Sequence, residues 1–364
     1  MFSQSTSAAP NSEPSPDDRR VRPRILQILA SGPGGGGMER HFFDLCNGLA
    51  ESHEVIAVCE DVYKSGLSSE VQFEDLGHRI GRRSPRTIFR FWRIASACKP
   101  DLIHAHSSRA AAIVSSCRWG VSAPRVATVH GQKNSHHVFR HFDGVIAVSH
   151  GVAKQIRHRN VSVVYNGIDP AAWSRSLAPT QNRPDSFPDS GRIAVAIGRL
   201  VDVKGFDILI RAWQGQSGHL LIVGDGPLED KLRALVVQCG LTKNVSLLGF
   251  RSDIREILNA ADVLVIPSRR EGFGYVLAEA LLAGCPVVST DVPAANEILP
   301  RQFIVPCEDV ASLQQRLAET MAKSDPELRA EFEPVWARAE QAFALNTMLT
   351  ETAKVYQSLL QQRV

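Results

Sequence analysis

The chain has 364 residues and a formal net charge of +3, from 41 Lys and Arg residues against 38 Asp and Glu residues. Its composition, 44% hydrophobic and 22% charged, excludes collagen-like, coiled-coil and wholly disordered proteins. The even charge balance is not that of a dedicated nucleic-acid-binding protein, and at roughly 150 residues per domain the length predicts two domains.

The N-terminal segment predicts neither a signal peptide nor a packed element. Residues 1–24 lack an apolar core and carry four prolines among Ser, Asp and Arg, which is typical of a disordered tail. No stretch of the sequence approaches the roughly 20 apolar residues that span a bilayer. The seven cysteines are scattered without a Cys-x-x-Cys pair, which argues against a disulfide framework and favours a reducing cytoplasm.

After the tail, strands alternate with helical patterns, which predicts βαβ units and a parallel sheet. In the first half we expect strands over residues 24–30, 55–59, 102–106, 126–130, 144–148 and 161–165. A helix is expected over residues 38–50, because apolar side chains recur there at helical spacing.

A basic segment lies inside this first half. Residues 76–100 contain seven basic residues and no acidic one: Arg79, Arg82, Arg83, Arg86, Arg90, Arg93 and Lys99. Phe89, Phe91 and Trp92 are interleaved with them, and this combination suits contact of residues 79–99 with an anionic membrane surface. The alternative is a surface helix whose apolar face packs inward while its arginines are solvated.

A proline-rich stretch separates the two halves and predicts a linker over residues 169–191. Beyond it we expect strands over residues 192–197, 219–223, 245–248, 262–267 and 286–289, and helices over residues 206–214, 228–239, 253–260 and 275–283. The fold class is therefore α/β, with Rossmann-like domains over residues 25–168 and 192–342 that face a central cleft. Ligands of such sheets bind at the carboxyl ends of the strands.

A glycine-rich turn, SGPGGGG over residues 31–37, joins the first strand to the first helix. Gly32, Gly34 and Gly37 satisfy the G-x-G-x-x-G spacing, and Glu60 ends the second strand, as in an NAD-binding dehydrogenase. Five glycines in seven residues match many spacings, however. The firmer inference is that the backbone closely approaches a phosphate or a sugar hydroxyl just before a helix.

Two cations in the second half predict a diphosphate site. Arg199 and Lys204 follow a strand and precede a helix, so that charge pairing and the helix dipole act together. The next two strands run into Gly226, in a tight turn, and into Phe250 and Arg251. We expect these three residues near the same cleft, with Phe250 either stacking on a ligand or packing in the core.

Two carboxylates follow the fourth strand of the second half. Glu271 is expected in a loop and Glu279 about one turn into an apolar helix, where a carboxylate needs a partner such as a ribose diol. Gly272 and Gly274 leave the backbone N–H groups at the helix start free for phosphate oxygens.

The run from Glu271 to Glu279 resembles the E-x7-E motif of the family-four retaining glycosyltransferases of the GT-B fold, such as those of bacterial lipopolysaccharide and envelope glycans. Further segments of the sequence resemble the family in the expected order: GGMER (36–40), PDLIHAHS (100–107), TVHG (128–131), AVSHGV (147–152) and YNGID (165–169). The resemblance covers nearly the whole chain after the tail.

The resemblance implies a nucleotide-sugar donor, retention of anomeric configuration, and neither a metal nor another cofactor. It implies a catalytic set of Glu271, Lys204, Arg199 and His130, with Arg199 and Lys204 on the diphosphate, and Glu271 and His130 facing the transferred sugar. It assigns Phe273 and Gly274 as backbone donors, Glu279 to the ribose, and Gly36 and Gly37 to the donor phosphates. It also implies that a last helix, within residues 343–364, crosses back onto the first domain.

The histidines raise the question of a metal, because His104 and His106 alternate on a strand and alternating histidines can bind one. No motif carboxylate or cysteine joins them, so we expect no metal site, with His104 packed and His106 facing the cleft. The expected acceptor contacts are Gly35, His106, Ser107 and His136.

The predicted function is transfer of a hexose or N-acetylhexosamine to a cell-envelope glycan, with lipopolysaccharide core or a lipid-linked oligosaccharide as the expected acceptor. The expected location is the cytoplasm, at the inner face of the cytoplasmic membrane. The alternatives are a sugar-nucleotide epimerase of related fold, an NAD-dependent dehydrogenase and a catalytically silent envelope-assembly scaffold. The dehydrogenase leaves Arg199, Lys204, Glu271 and Glu279 unexplained.

Overall fold

A computed structural model describes residues 22–31, 36–78, 81, 84–117, 120–131, 137–173, 187–188 and 190–362. The predicted tail up to residue 21 and most of the predicted linker lie outside the described residues. Two parallel sheets, each covered by helices, organise the rest of the chain, as the alternation of strands and helices predicts.

The first sheet has seven parallel strands in the order β3-β2-β1-β4-β5-β6-β7. Its strands are β1 (Arg24–Ile28), β2 (Glu54–Cys59), β3 (Gln72–Asp75), β4 (Leu102–Ala105), β5 (Arg125–Val129), β6 (Gly144–Ala147) and β7 (Val161–Val163). The strand order reverses between β1 and β4, which is the point where open α/β sheets bind ligands.

Four helices follow strands of this half: α1 (Gly37–Leu49), α2 (Pro85–Cys98), α3 (Ser108–Ser116) and α4 (His150–Ala153). In α1 the residues spaced at helical periodicity, Phe42, Leu45 and Leu49, are buried against the sheet. Residues 85–98 of the basic segment form α2, with Pro85 in its first turn. Phe91 and Ile94 of α2 point into the core, so the inward-packing surface helix is confirmed.

The second sheet has six parallel strands in the order β10-β9-β8-β11-β12-β13. Its strands are β8 (Ile193–Ile197), β9 (His219–Val223), β10 (Val245–Gly249), β11 (Val263–Ile266), β12 (Val287–Thr290) and β13 (Ile304–Val305). Its helices are α5 (Phe206–Ala212), α6 (Glu229–Gln238), α7 (Ile254–Ala260), α8 (Tyr275–Leu282), α9 (Ala295–Ile298), α10 (Val310–Ala322) and α11 (Asp325–Ala342). The order again reverses at its centre, between β8 and β11.

The last helix, α12 (Leu345–Gln361), packs on the first half rather than the second. Its Tyr356 is fully buried there and accepts a hydrogen bond from the Gln27 amide at 3.0 Å. The chain crosses between the halves twice, and backbone hydrogen bonds join the two crossings. The Ile168 N–H donates to the Phe343 carbonyl oxygen, and the Leu345 N–H donates to the Ile168 carbonyl oxygen, each at 2.9 Å. Among the described residues, no helix has the length and apolar character needed to cross a bilayer.

Candidate active site

Loops that follow strands of both sheets enclose a cavity of about 520 Å³ between the two halves. The first half contributes residues after β1, β5 and β7, and the second half contributes residues after β8, β11 and β12. Nine of the predicted site residues line it: Gly36, Gly37, His130, Arg199, Lys204, Glu271, Phe273, Gly274 and Glu279. A larger groove of about 930 Å³ runs between α1 and α12, but no predicted site residue lines it.

Lys204 and Glu271 form an ion pair at the second-half wall of the cavity. Lys204 ends a turn of 3-10 helix after β8, and Glu271 lies in the loop after β11. The two loops are pressed together at Gly205, where a methyl group would come within 2.1 Å of the Pro267 carbonyl oxygen. Because Gly205 has a φ of +66°, this contact requires glycine, and it fixes Lys204 beside Glu271.

Arg199 adds a second cation to the same wall. Its side chain is exposed to the cavity and has no ion-pair partner within the part of the chain that the structure describes. A free guanidinium beside an ion-paired ammonium makes this wall a place where an anion with several oxygens is stabilised.

Glu279 lies in the first turns of α8 and is only 8% exposed. It pairs with Arg40, which reaches across the cavity from α1 of the first half. Burial raises the pKa of Glu279, and the charge and hydrogen bond of Arg40 oppose that rise. The Arg40 guanidinium also lies 4.8 Å above the centre of the Tyr275 ring.

The loop between the two carboxylates brings the halves into direct contact. A methyl group on Gly272 would come within 2.1 Å of the His130 carbonyl oxygen, so only glycine fits this approach. The Ser149 hydroxyl donates to the Gly272 carbonyl oxygen at 3.0 Å. Gly274, with a φ of +77°, then turns the chain into α8 and directs that helix N-terminus at the cavity.

The start of α1 approaches the same point from the first half. Gly36 precedes the helix and Gly37 begins it. A methyl group on Gly37 would come within 2.8 Å of the Tyr275 ring, so glycine is needed for the two helix starts to approach. Two helix N-termini therefore face one cavity, an arrangement that favours negatively charged ligands.

Behind the first-half wall lies a cluster of histidines. His130 lines the cavity, and His41 packs edge-on against it with 4.7 Å between ring centres. His41 is buried, and burial lowers its pKa to about 4.

The prediction that His106 faces the cleft is wrong, because α1 covers it and it is fully buried. His104 in β4 and His106, the first residue after β4, lie on the same side of the sheet with 4.0 Å between ring centres, as expected for residues two apart in extended chain.

Hydrogen bonds hold the deeper histidines in place. His106 Nε2 is 2.6 Å from the Gln27 side-chain oxygen, and His104 bridges the hydroxyls of Tyr356 at 2.6 Å and Thr128 at 2.7 Å. Burial, with repulsion from neighbouring histidines, holds the pKa values of His104 and His106 well below the usual range. These rings are neutral at physiological pH.

Three imidazoles, those of His41, His106 and His130, have nitrogen atoms within 4.8 Å of one another and are the candidate metal ligands among the described residues. Zinc–imidazole bonds are about 2.0–2.1 Å long, and imidazole is a common zinc ligand.

Several predicted residues lie away from the cavity lining. Gly226 packs against the Leu200 carbonyl oxygen, and Arg251 pairs with Asp253 at 2.7 Å. Phe250 is 74% exposed, so its core interpretation is wrong. Ser107 caps α3 by accepting from the Ala110 N–H at 2.9 Å. Gly35 and His136 lie outside the described residues.

Sequence reasoning missed three cavity or cavity-facing residues: Arg40, Asn166 and Tyr275. Each lies in a segment that was recognised, within GGMER, YNGID or the run from Glu271 to Glu279. The available signal was position, since all three lie at or near a strand end or a helix start that faces the cleft.

Comparison with known proteins follows the division into halves. Residues 35–172 match the family described as Glycosyltransferase Family 4, and residues 179–334 match the family described as Glycosyl transferases group 1. An uncharacterized glycosyltransferase of Methanocaldococcus jannaschii is 35% identical over 152 residues, which is 39% of this chain and 39% of that protein. The lipopolysaccharide core biosynthesis glycosyltransferase LpsE of Rhizobium meliloti is 28% identical over 269 residues, or 70% of this chain and 76% of LpsE.

The fold has a counterpart among solved structures. The crystal structure of Anabaena HepE in complex with UDP and glucose superposes with a TM-score of 0.79 at 24% identity, covering 93% of this chain and 100% of that chain. At this identity the likeness establishes the fold, which is the predicted pair of Rossmann-like domains. By its two family matches and its architecture, the chain belongs to the glycosyltransferases of the GT-B fold.

Proposed function

We propose that the protein transfers a hexose or N-acetylhexosamine from a nucleotide-diphosphate sugar to a cell-envelope glycan, with retention of anomeric configuration and without a metal ion. The observation that carries the proposal is the wall of the cavity where Arg199 and the Lys204–Glu271 pair lie close to two helix N-termini. Such a wall suits a diphosphate that gains negative charge as it leaves.

In this proposal the second half binds the donor. Arg199 and Lys204 hold the diphosphate, the N–H groups of Phe273 and Gly274 donate to sugar and phosphate oxygens, and Glu279 accepts from the ribose. Anabaena HepE was crystallised in complex with UDP and glucose, which supports a nucleotide-sugar donor of this kind. The bound sugar would lie between Glu271 and His130, which both line the cavity.

Glu271 is proposed to position the sugar rather than to attack it, because its carboxylate is already paired with Lys204. The acceptor oxygen would then attack the anomeric carbon on the face from which the diphosphate leaves. As the bond from that carbon to the phosphate oxygen breaks, the acceptor proton passes to the leaving phosphate. Arg199 and Lys204 stabilise the charge that remains on the diphosphate.

We propose an envelope glycan, either lipopolysaccharide core or a lipid-linked oligosaccharide, as the acceptor. LpsE and LpsD of Rhizobium meliloti are both described as lipopolysaccharide core biosynthesis glycosyltransferases, which supports the first of these. The acceptor would enter over the first half, beside Gly36, Gly37 and His130.

The proposed location is the inner face of the cytoplasmic membrane, with α2 as the contact. Phe89 and Trp92 of α2 are 62% and 39% exposed and stack with 5.7 Å between ring centres. Arg86 and Arg93 are exposed on the same helix. Arg79, Arg82 and Arg83 lie outside the described residues. Exposed aromatic side chains beside arginines suit an anionic lipid surface.

A thermal-shift panel of UDP-, GDP- and ADP-sugars tests the proposal. A ligand at 100 times its Kd stabilises the folded protein by about 2.7 kcal/mol, which a melting curve resolves. We expect stabilisation by one class of nucleotide sugar and none by NAD(H). Stabilisation by NAD(H) alone would favour the dehydrogenase instead.

A further inference from the structure

The pair between Arg40 and Glu279 joins the two halves across the cavity. Arg40 lies in the first turn of α1, directly after the glycine-rich turn, and Glu279 lies in α8. The contact uses Nη1 of Arg40 and Oε1 of Glu279, which leaves Oε2 of the carboxylate for another donor. Arg40 is therefore a first-half residue that holds a second-half carboxylate.

Arg40 is itself held in place. Its guanidinium lies 4.8 Å above the Tyr275 ring centre, and its Nε is 3.7 Å from an Asp44 carboxylate oxygen one turn along α1. Gly37 allows this approach, because any side chain there would collide with Tyr275. The close packing of the two helix starts thus delivers the Arg40 charge to Glu279.

The electrostatic consequence follows from the burial of Glu279. Burial favours the neutral carboxyl and raises the pKa of Glu279, while Arg40 acts in the opposite direction. Among the described residues, Asp44 and Tyr275 lie against the pair, and His130, Arg199, Lys204 and Glu271 line the same cavity. Arg40 is the cation in contact with Glu279, so removing it favours protonation of this carboxyl.

We propose that Arg40 is a positioning residue for the donor nucleoside. It keeps Glu279 ionised and oriented, so that Oε2 accepts hydrogen bonds from the ribose hydroxyls. This inference rests on the proposed function, because it takes a nucleotide sugar as the donor. It adds that the ribose site is completed by the first half and forms only when the two halves are together.

Isothermal titration of the full chain with UDP, GDP and ADP tests this directly. The key variant is Arg40→Met, which keeps an apolar side chain over Tyr275 and removes the charge, and Arg40→Lys is the conservative variant. Arg233→Met is the matched control, since it removes an arginine that pairs with Glu229 on the surface of α6. Melting curves of all variants report on folding.

We expect Arg40→Met to weaken binding of the diphosphate by about ten- to hundredfold, the range for a hydrogen bond to a charged group. The loss should be larger at mildly acidic than at mildly alkaline pH, because Glu279 without Arg40 is more readily protonated. Arg40→Lys should recover part of the affinity, and Arg233→Met should bind as the wild type does. The 2′,3′-dideoxy form of the same diphosphate should bind wild type and Arg40→Met equally.

Two outcomes would overturn the inference about Arg40 alone. Unchanged or tighter binding in Arg40→Met would show that Arg40 does not assist the nucleoside, or competes with it. An equal loss for the ribose and dideoxy forms would show a general structural effect. If none of the three diphosphates binds the wild type, the proposed function fails together with this inference, and that result is distinct from the other two.

Discussion

The two halves share an architecture but contribute different groups to the cavity. The second half contributes charge, with Arg199, Lys204 and both carboxylates at its strand ends and helix starts. The first half contributes mainly close backbone approach at Gly36 and Gly37 and the His130 ring, backed by buried neutral histidines. The second half thus provides most of the charged side chains of the cavity, and the first half provides its close-packed wall. Arg40 is the exception, because it is a first-half cation that pairs with a second-half carboxylate.

Removing charge from the second half should have the largest effect. We expect Lys204→Ala to lower turnover of the donor by about 10²–10³, as loss of one transition-state contact does. Glu271→Ala should act similarly, because it removes the partner of Lys204. Turnover is measured with the nucleotide sugar that stabilises the protein. Lys243→Ala, an exposed lysine in the same half, is the control, and wild-type turnover in Lys204→Ala would contradict the division of roles.

The buried histidines of the first half predict an acid-sensitive fold. The folded pKa of His41, about 4, lies below the unfolded value of 6.5, so the unfolded state binds its proton first. The free energy of unfolding should therefore fall as the pH drops from 6.5 towards 4. Protonation of His41 in the unfolded state should account for about 3 kcal/mol of this loss. Urea unfolding at a series of pH values measures this, and the free energy of unfolding of His41→Asn should fall less steeply with decreasing pH. If the free energies of wild type and variant fall in parallel, His41 is not buried in its neutral form.

Gly272→Ala should disturb the contact between the halves at His130. The added methyl group would meet the His130 carbonyl oxygen at 2.1 Å, and overpacking of this kind costs about 1–3 kcal/mol. We expect a lower melting temperature. Gly131→Ala is the matched control, since a methyl group on Gly131 meets no atom within 4 Å. Equal melting temperatures for the two variants would show that the approach of Gly272 to His130 does not require glycine.

Disrupting the proposed membrane contact of α2 should give the smallest of these effects. We expect the double variant Phe89→Ser, Trp92→Ser to weaken sedimentation with anionic phosphatidylglycerol vesicles by about tenfold, from the lost apolar burial. Val237→Ser is the control, because Val237 is a 66% exposed apolar residue of the second half. Unchanged sedimentation of the double variant would remove α2 from the proposed contact.

The fold was largely predictable because parallel strands are continuous apolar runs. The strand His219–Val223 and the helix that begins at Tyr275 have the predicted starts. The sequence did not reveal β3 and β13: β3 has the polar edge sequence QFED, and β13 has two residues. Strands this short or polar carry too little periodicity to be recognised.

The site was predictable where one short segment carries it. Glu271, Gly274 and Glu279 lie within nine consecutive residues, and all three line the cavity. The Arg40–Glu279 pair was not predictable, because its partners are 239 positions apart in the sequence and lie in different halves of the fold. His106 was misplaced because α1 covers the face of β4 that carries both histidines.

The central claim is that fixed protein charge drives a retaining sugar transfer. It is tested most directly by ¹H NMR of donor cleavage by water, in the presence of EDTA and before the released sugar mutarotates. We predict that the sugar appears first in the anomeric configuration of the donor, and that Lys204→Ala slows its release by about 10²–10³. Release of the opposite anomer, or cleavage that stops with EDTA and returns with a divalent metal, would contradict the claim.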